Sequence, residues 1–156
     1  MTTQPSETPM EAAPYRHLLL TTDLSPDCEI VATRAQELAQ HYGARLSILH
    51  VVEYVAMEYA GDLILPEDLD LEQKLVATAK EQVATLGEKL GVAAEDQHVE
   101  VGSTKAEVLR LARDQGVDLI VIGSHGRHGL ALLLGSTANA VLHGVDCDVL
   151  AVRIPS

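Results

Sequence analysis

The chain has 156 residues, 47% of them hydrophobic, and a formal net charge of −12. That length and apolar share suit one globular domain rather than a disordered chain. The charge argues against duplex DNA or RNA and against anionic membrane surfaces as partners, because both demand clustered Lys and Arg.

With four Tyr and no Phe or Trp, the core must be aliphatic, built from Leu, Val, Ile and Ala. The two cysteines, Cys28 and Cys147, lie far apart and show neither CxxC spacing nor a disulfide framework. Residues 1–14 hold three prolines among small and polar residues and read as a disordered tail, leaving 15–156 as the domain. They lack the basic and apolar regions of a signal peptide. No apolar run approaches bilayer-spanning length, and the expected location is the cytoplasm.

In chain order, 17–23 (HLLLTTD) is a short apolar run with a polar end and reads as a buried strand. Ser25 and Pro26 then open a helix, Ser25 as cap and Pro26 at its first position, with Asp27 and Glu29 complementing the dipole. Ile30, Val31, Leu38 and Tyr42 keep helical spacing, and Gly43 ends the helix. In the first turn, Cys28 has two readings, a stabilised thiolate or a plain small residue.

A second strand covers 45–53 (RLSILHVVE), and 54–65 reads as a loop. Pro66 starts a long helix with an acidic first turn. Its stripe is Leu71, Leu75, Ala79, Val83, Leu86 and Leu90, close to every fourth residue, and Gly91 closes it. Residues 98–102 read as a short strand. Thr104 with Glu107 has capping-box spacing for the next helix. A continuous apolar strand at 117–123 (VDLIVIG), a glycine-rich loop, a helix near 136–143 and a last strand at 147–154 (CDVLAVRI) complete the chain. Alternation of continuously apolar strands with helices predicts an α/β fold, a parallel sheet covered on both faces.

Ligands of open parallel sheets bind beyond the carboxyl ends of the strands, where the strand order reverses. Two strand ends stand out here. One is Thr21-Thr22-Asp23. The other is Gly123-Ser124-His125-Gly126-Arg127-His128-Gly129, followed by Gly135-Ser136-Thr137 at a helix start. Glycines let backbone amides converge on an anion, and a helix start adds donors and partial positive charge. Ser136 and Thr137 add hydroxyls, Arg127 a cation, and Asp23 an acceptor for a ribose. The same glycines also serve as plain turns, and spacing alone leaves both readings open. The loop is neither a Walker A loop nor a dinucleotide fingerprint.

The segments TTDLSP, LHVVE and VDLIVIGSHGRHGLALLLGSTANAVLHGVDCDVLAVR resemble the universal stress protein family over residues 15–154. The resemblance implies an open five-stranded parallel sheet, order 3-2-1-4-5, with helices on both faces, the adenine nucleotide alpha hydrolase-like fold. It also implies ATP, with or without Mg2+, bound through G-x2-G-x9-G-[ST]. Gly123 and Gly126 match the first pair, and Gly135 with Ser136 the last. On this basis Gly126, Gly135, Ser136 and Thr137 hold phosphates, with Arg127 as the nearby cation that completes the expected site. Asp23, Val51, Ile122 and Gly123 line the adenosine pocket, and Thr21 sits beside them. The sequence departs from the pattern in one respect: eight residues, 127–134, separate Gly126 from Gly135 where the pattern has nine. The TTDLSP segment also resembles the UspA branch, some of whose members do not bind ATP.

Other constellations weigh less. His125 and His128 stand in the glycine loop with no Cys or carboxylate to complete a metal site. Gly-Ser-His-Gly at 123–126 is not a nucleophile elbow, and no residue is an obvious base for activating water. No catalytic residue and no metal are therefore expected. The last strand, 148–154, is an edge in the implied order, and family members dimerise there. The expected function is a cytoplasmic, ATP-binding stress-response homodimer. The alternative is a nucleotide-free interaction protein acting through protein partners not identified by the sequence.

Overall fold

The computed structural model describes residues 14–53, 66–124 and 145–155. The elements are β1 (His17–Thr21), α1 (Cys28–Tyr42), β2 (Arg45–Val52), α2 (Pro66–Leu90), a 3-10 turn (Ala94–Asp96), β3 (Gln97–Val101), α3 (Thr104–Gln115), β4 (Leu119–Gly123) and β5 (Asp148–Val152). The sheet order is β3-β2-β1-β4-β5 and every neighbouring pair is parallel, as the sequence implied. The tail at 1–13, the loop at 54–65 and the helix near 136–143 lie outside the described residues.

Alternation along the strands sends side chains to two core layers. Leu18 and Leu20 of β1, Ile48 of β2 and Val121 of β4 pack with Val31, Ala32, Ala35 and Ala39 of α1 and Val83 and Leu86 of α2. Leu19, Leu49, Val51, Ile120 and Ile122 pack on the other side with Val108, Leu111 and Ala112 of α3. The leucines at 18, 19 and 20 are all fully buried, each contributing roughly 1.5–3 kcal/mol relative to an exposed position. This two-sided burial explains why β1 reads as a continuous apolar run rather than an alternating one.

The helices differ in detail from their sequence signals. The side of α1 turned to the sheet is an alanine stripe, while Ile30 and Tyr42 from the expected apolar set are exposed. Small residues let the helix approach the sheet closely, and hydrophobic size misses that. Ser25 does not cap α1. The N-cap is Asp27, without a side-chain capping bond, and Ser25 stands in the turn that delivers the chain to it. Likewise Ser103, not Thr104, is the N-cap of α3, accepting from the Ala106 amide. Thr104 instead gives both its amide (2.8 Å) and its hydroxyl (2.7 Å) to the Glu53 carboxylate. The acid ending LHVVE thus satisfies an orphan donor of α3 across the sheet and complements its dipole.

Three residues at the amino ends tie distant strands together. The Asp118 carboxylate accepts from the Arg16 and His17 amides at 3.0 Å each, while its own backbone pairs with His17 and Asp148. The Tyr15 hydroxyl donates to Asp148 at 2.6 Å, and this bond pushes the phenol up to about 12. The buried His17 lies 3.2 Å from the Gln115 carbonyl through Nδ1 and 2.7 Å from the Ser47 hydroxyl through Nε2. A carbonyl only accepts, so Nδ1 carries the proton and Nε2 accepts from Ser47.

Burial holds His17 and His98 below the usual imidazole range. Both therefore remain neutral in the fold while the unfolded chain takes up protons near about pH 6.5. Stability is full above that value and falls as the pH drops from it toward the folded-state values. The expected result is a urea midpoint that is flat on the alkaline side of about pH 7 and lower at about pH 5.5. His98 Nε2 is also the one buried side-chain nitrogen or oxygen without a hydrogen-bond partner among the described residues. His98→Leu should raise stability by about 1 kcal/mol at neutral pH and flatten the acid limb. Equal midpoints for variant and wild type at both pH values would refute this account of His98.

Candidate functional site

The β1–β4 ladder ends at Leu20 and Val121. Beyond it, among the described residues, the backbone of each strand pairs on its far side, while the Thr21 hydroxyl donates across to the Val121 carbonyl at 3.5 Å. Thr21 pairs with Leu49 of β2, and the Thr22 amide donates to the Leu49 carbonyl at 3.0 Å. Gly123 pairs with Val152 of β5, and the Ser124 amide donates to the Val152 carbonyl at 2.9 Å. The chain leaves β1 toward β2 and leaves β4 toward β5, so a crevice opens between them at the carboxyl end of the sheet. This is where open α/β sheets bind ligands.

The crevice is lined by Thr21, Thr22, Asp23, Cys28, Val31, Gly123 and Ile154. It brings together three predicted site residues, Thr21, Asp23 and Gly123. Val51 and Ile122 lie beneath, buried in the α3-side core, and do not line it. Gly126, Arg127, Gly135, Ser136 and Thr137, the predicted phosphate side, lie outside the described residues. Sequence reasoning did not select Cys28, Val31 and Ile154, which form apolar or weakly polar walls. Position on the helix face would have found Val31, but nothing local marks Ile154.

The wall on the β1 side is a preorganised turn. The Asp23 carboxylate accepts from the Ser25 amide at 2.9 Å, and the Thr22 hydroxyl accepts from the Leu24 amide at 3.0 Å. These are side-chain mimics of backbone turns. The Thr22 carbonyl accepts from His50 Nδ1 at 2.8 Å, which fixes that ring's tautomer. Between the two turns Leu24 has φ +61°, the one left-handed non-glycine residue among those described. Such a backbone costs about 1–2 kcal/mol for a residue with a Cβ, and it is held by the flanking bonds and by packing of Leu24 on the α1-side core. Leu24→Gly and Leu24→Ala remove the same packing apart from one methyl, but only Gly relieves the backbone. Gly is therefore expected to be the more stable variant by about 1 kcal/mol, read from paired thermal melts. An Ala variant as stable as Gly would show that the turn is not strained.

On the other wall, Ser124 acts structurally. Its hydroxyl oxygen accepts from the Ile154 amide at 3.0 Å, pinning the segment after β5 over the crevice. Burial pushes the Cys28 thiol up, which favours the plain-residue reading over a stabilised thiolate. Burial also pushes Cys147 up, to about 11. Among the described residues no cluster of His, Cys, Asp and Glu is arranged to hold a metal ion, and no helix is long and apolar enough to cross a membrane.

The arrangement offers an acid at a strand end, a glycine-edged gap and apolar walls. Asp23 accepts hydrogen bonds from hydroxyls, Gly123 admits close approach of a ligand, and Val31 and Ile154 exclude water below.

Comparison with known proteins agrees with the fold and its segments. The universal stress protein family profile matches residues 14–153. Universal stress protein A homolog 1 of Coxiella burnetii is 43% identical over 138 residues, covering 88% of this chain and 96% of that protein. Homolog 2 of the same organism is 41% identical, covering 90% and 96%. Among solved structures, MJ0577 of Methanocaldococcus jannaschii superposes with a TM-score of 0.71 at 26% identity, covering 92% of this chain and 99% of that one. A universal stress protein solved in complex with cAMP superposes at 0.55 with 26% identity, covering 90% and 98%. The chain belongs to the universal stress protein family.

Proposed function

We propose that the chain is a cytoplasmic stress-response protein that binds ATP, with or without Mg2+, in the crevice between β1 and β4, and that it is a binding protein rather than an enzyme. The observation that carries the reading is the opening of the sheet beyond the Leu20–Val121 pair, with Asp23 and Gly123 on its two lips. The relative solved with cAMP supports an adenine nucleotide as the ligand class. Gly126, Arg127, Gly135, Ser136 and Thr137 take the phosphates in this reading. The partner is a second copy, joined through β5 and its continuation to Ile154, since β5 is an edge strand with half-buried Val149, Leu150 and Ala151.

Calorimetric titration of ATP with Mg2+ into dialysed protein tests this, with a Gly126→Val, Gly135→Val double variant alongside. Saturable binding in the wild type and none in the folded variant is the expected result. No binding to the wild type at millimolar nucleotide would favour the second reading, a nucleotide-free interaction protein. Two observations favour that alternative: the eight-residue spacing between Gly126 and Gly135, and the engagement of Asp23 with the Ser25 amide.

A further inference from the structure

The stripe of α2 that packs on the sheet is longer than the sheet beneath it. A 25-residue helix runs about 37 Å, whereas the five residues of β3 span about 17 Å. In a right-handed crossover α2 starts at the carboxyl end of β2 and returns toward the amino end of β3. Its later half completes the core, with Ala79, Val83 and Leu86 buried. Its earlier half has half-buried Glu72 and Val76, and beside them Leu71 and Leu75 remain 47% and 41% exposed. Beneath, Val99 of β3 belongs to the core layer shared with α2, and Val101, two residues on and on the same face of the strand, is 39% exposed. The helix and the edge strand thus carry two halves of an apolar layer that is left unfinished at the sheet's carboxyl end.

The sequence of these first turns is acidic. Residues 67–75 hold Glu67, Asp68, Asp70 and Glu72 against Lys74 alone, and Lys74 is already drawn to Asp70 at 3.4 Å. An apolar segment flanked by Lys or Arg is the complementary occupant for so acidic a stretch. We infer that the slot between the start of α2 and the end of β3 docks a basic amphipathic helix of a partner protein, its leucine-type anchors completing the layer over Leu71, Leu75 and Val101. The inference goes beyond nucleotide binding and does not depend on it.

The test is fluorescence anisotropy of a labelled, about 18-residue Leu/Lys amphipathic peptide titrated with the full chain at about 0.15 M salt, where long-range charge effects are screened. Saturable one-to-one binding is expected. It should weaken about tenfold or more in a Leu71→Ser, Leu75→Ser variant, with no change in net charge. Val101→Thr, nearly isosteric, should weaken it several-fold by the same reasoning and covers a failure of the double variant to fold. A peptide with Glu in place of Lys should not bind. Equal affinity for wild type and the apolar variants would overturn the inference, since bulk charge would then account for binding. So would absence of saturable binding to wild type. A drop in oligomeric state of the Leu71→Ser, Leu75→Ser variant on sedimentation would overturn it too, by giving the slot to a second copy.

Discussion

Asp118→Ala should cost about 3 kcal/mol of stability, more than most single changes outside the core. The residue stands just before β4, yet its carboxylate takes the amides that begin β1, at Arg16 and His17. Its backbone amide donates to His17 and its carbonyl accepts from Asp148. One side chain therefore sets where β1 enters the sheet relative to β4 and β5. Truncation leaves the part-buried His17 amide without its acceptor, and loss of a partner for such a donor costs about 1–3 kcal/mol, more when the partner was charged. Asp118→Asn keeps one acceptor oxygen and should cost about half as much. Urea denaturation of both variants gives the comparison. The account fails if Ala and Asn are equally mild, because the backbone pairs alone would then be holding the strand.

Such a residue shows which parts of this fold are legible in a sequence. The strands and their order were legible, the strands because most are largely apolar runs bounded by Gly, Pro or acids, with the half-polar β3 (Gln97–Val101) carrying the weakest signal, the order through family resemblance. The sheet face of α1 was only partly legible, because alanine carries little hydrophobic signal although Ala32, Ala35 and Ala39 form the contact. Two helix starts were misplaced, by two residues and by one, for a physical reason. Ser25 and Thr104 have the right chemistry for a cap, but the Asp23 carboxylate and the Glu53 carboxylate, brought in from strand ends, compete for the local amides. No local pattern announces a partner 51 residues away. The outer half of the α2 stripe reads in sequence like the inner half, and only the length of the sheet beneath distinguishes buried Val83 from exposed Leu75. Within the candidate site, Asp23 and Gly123 were visible from their places at strand ends. The left-handed Leu24 was not, since nothing in a leucine predicts positive φ.

The same turn makes Asp23 the residue whose substitution should separate the two functional readings. Its carboxylate is the acceptor for the Ser25 amide and, in the ATP-binding reading, for the ribose hydroxyls. Asp23→Ala removes both roles. It should lower ATP affinity about 100-fold, the loss of two charge-assisted hydrogen bonds, and destabilise the fold by about 1 kcal/mol through the orphaned amide. Asp23→Asn keeps a side-chain oxygen for the turn but loses the charge and one acceptor. Its stability should stay within about 0.5 kcal/mol of wild type, while affinity falls about tenfold. Calorimetry and thermal melts on the same preparations read both quantities. Loss of affinity without loss of stability in Asn assigns the carboxylate to the ligand. Melts that shift while wild-type affinity persists in both variants would confine Asp23 to shaping the turn. The lip formed by Gly123 would then have to carry nucleoside recognition without an acid, and the nucleotide-free reading would gain the weight that Asp23 had lost.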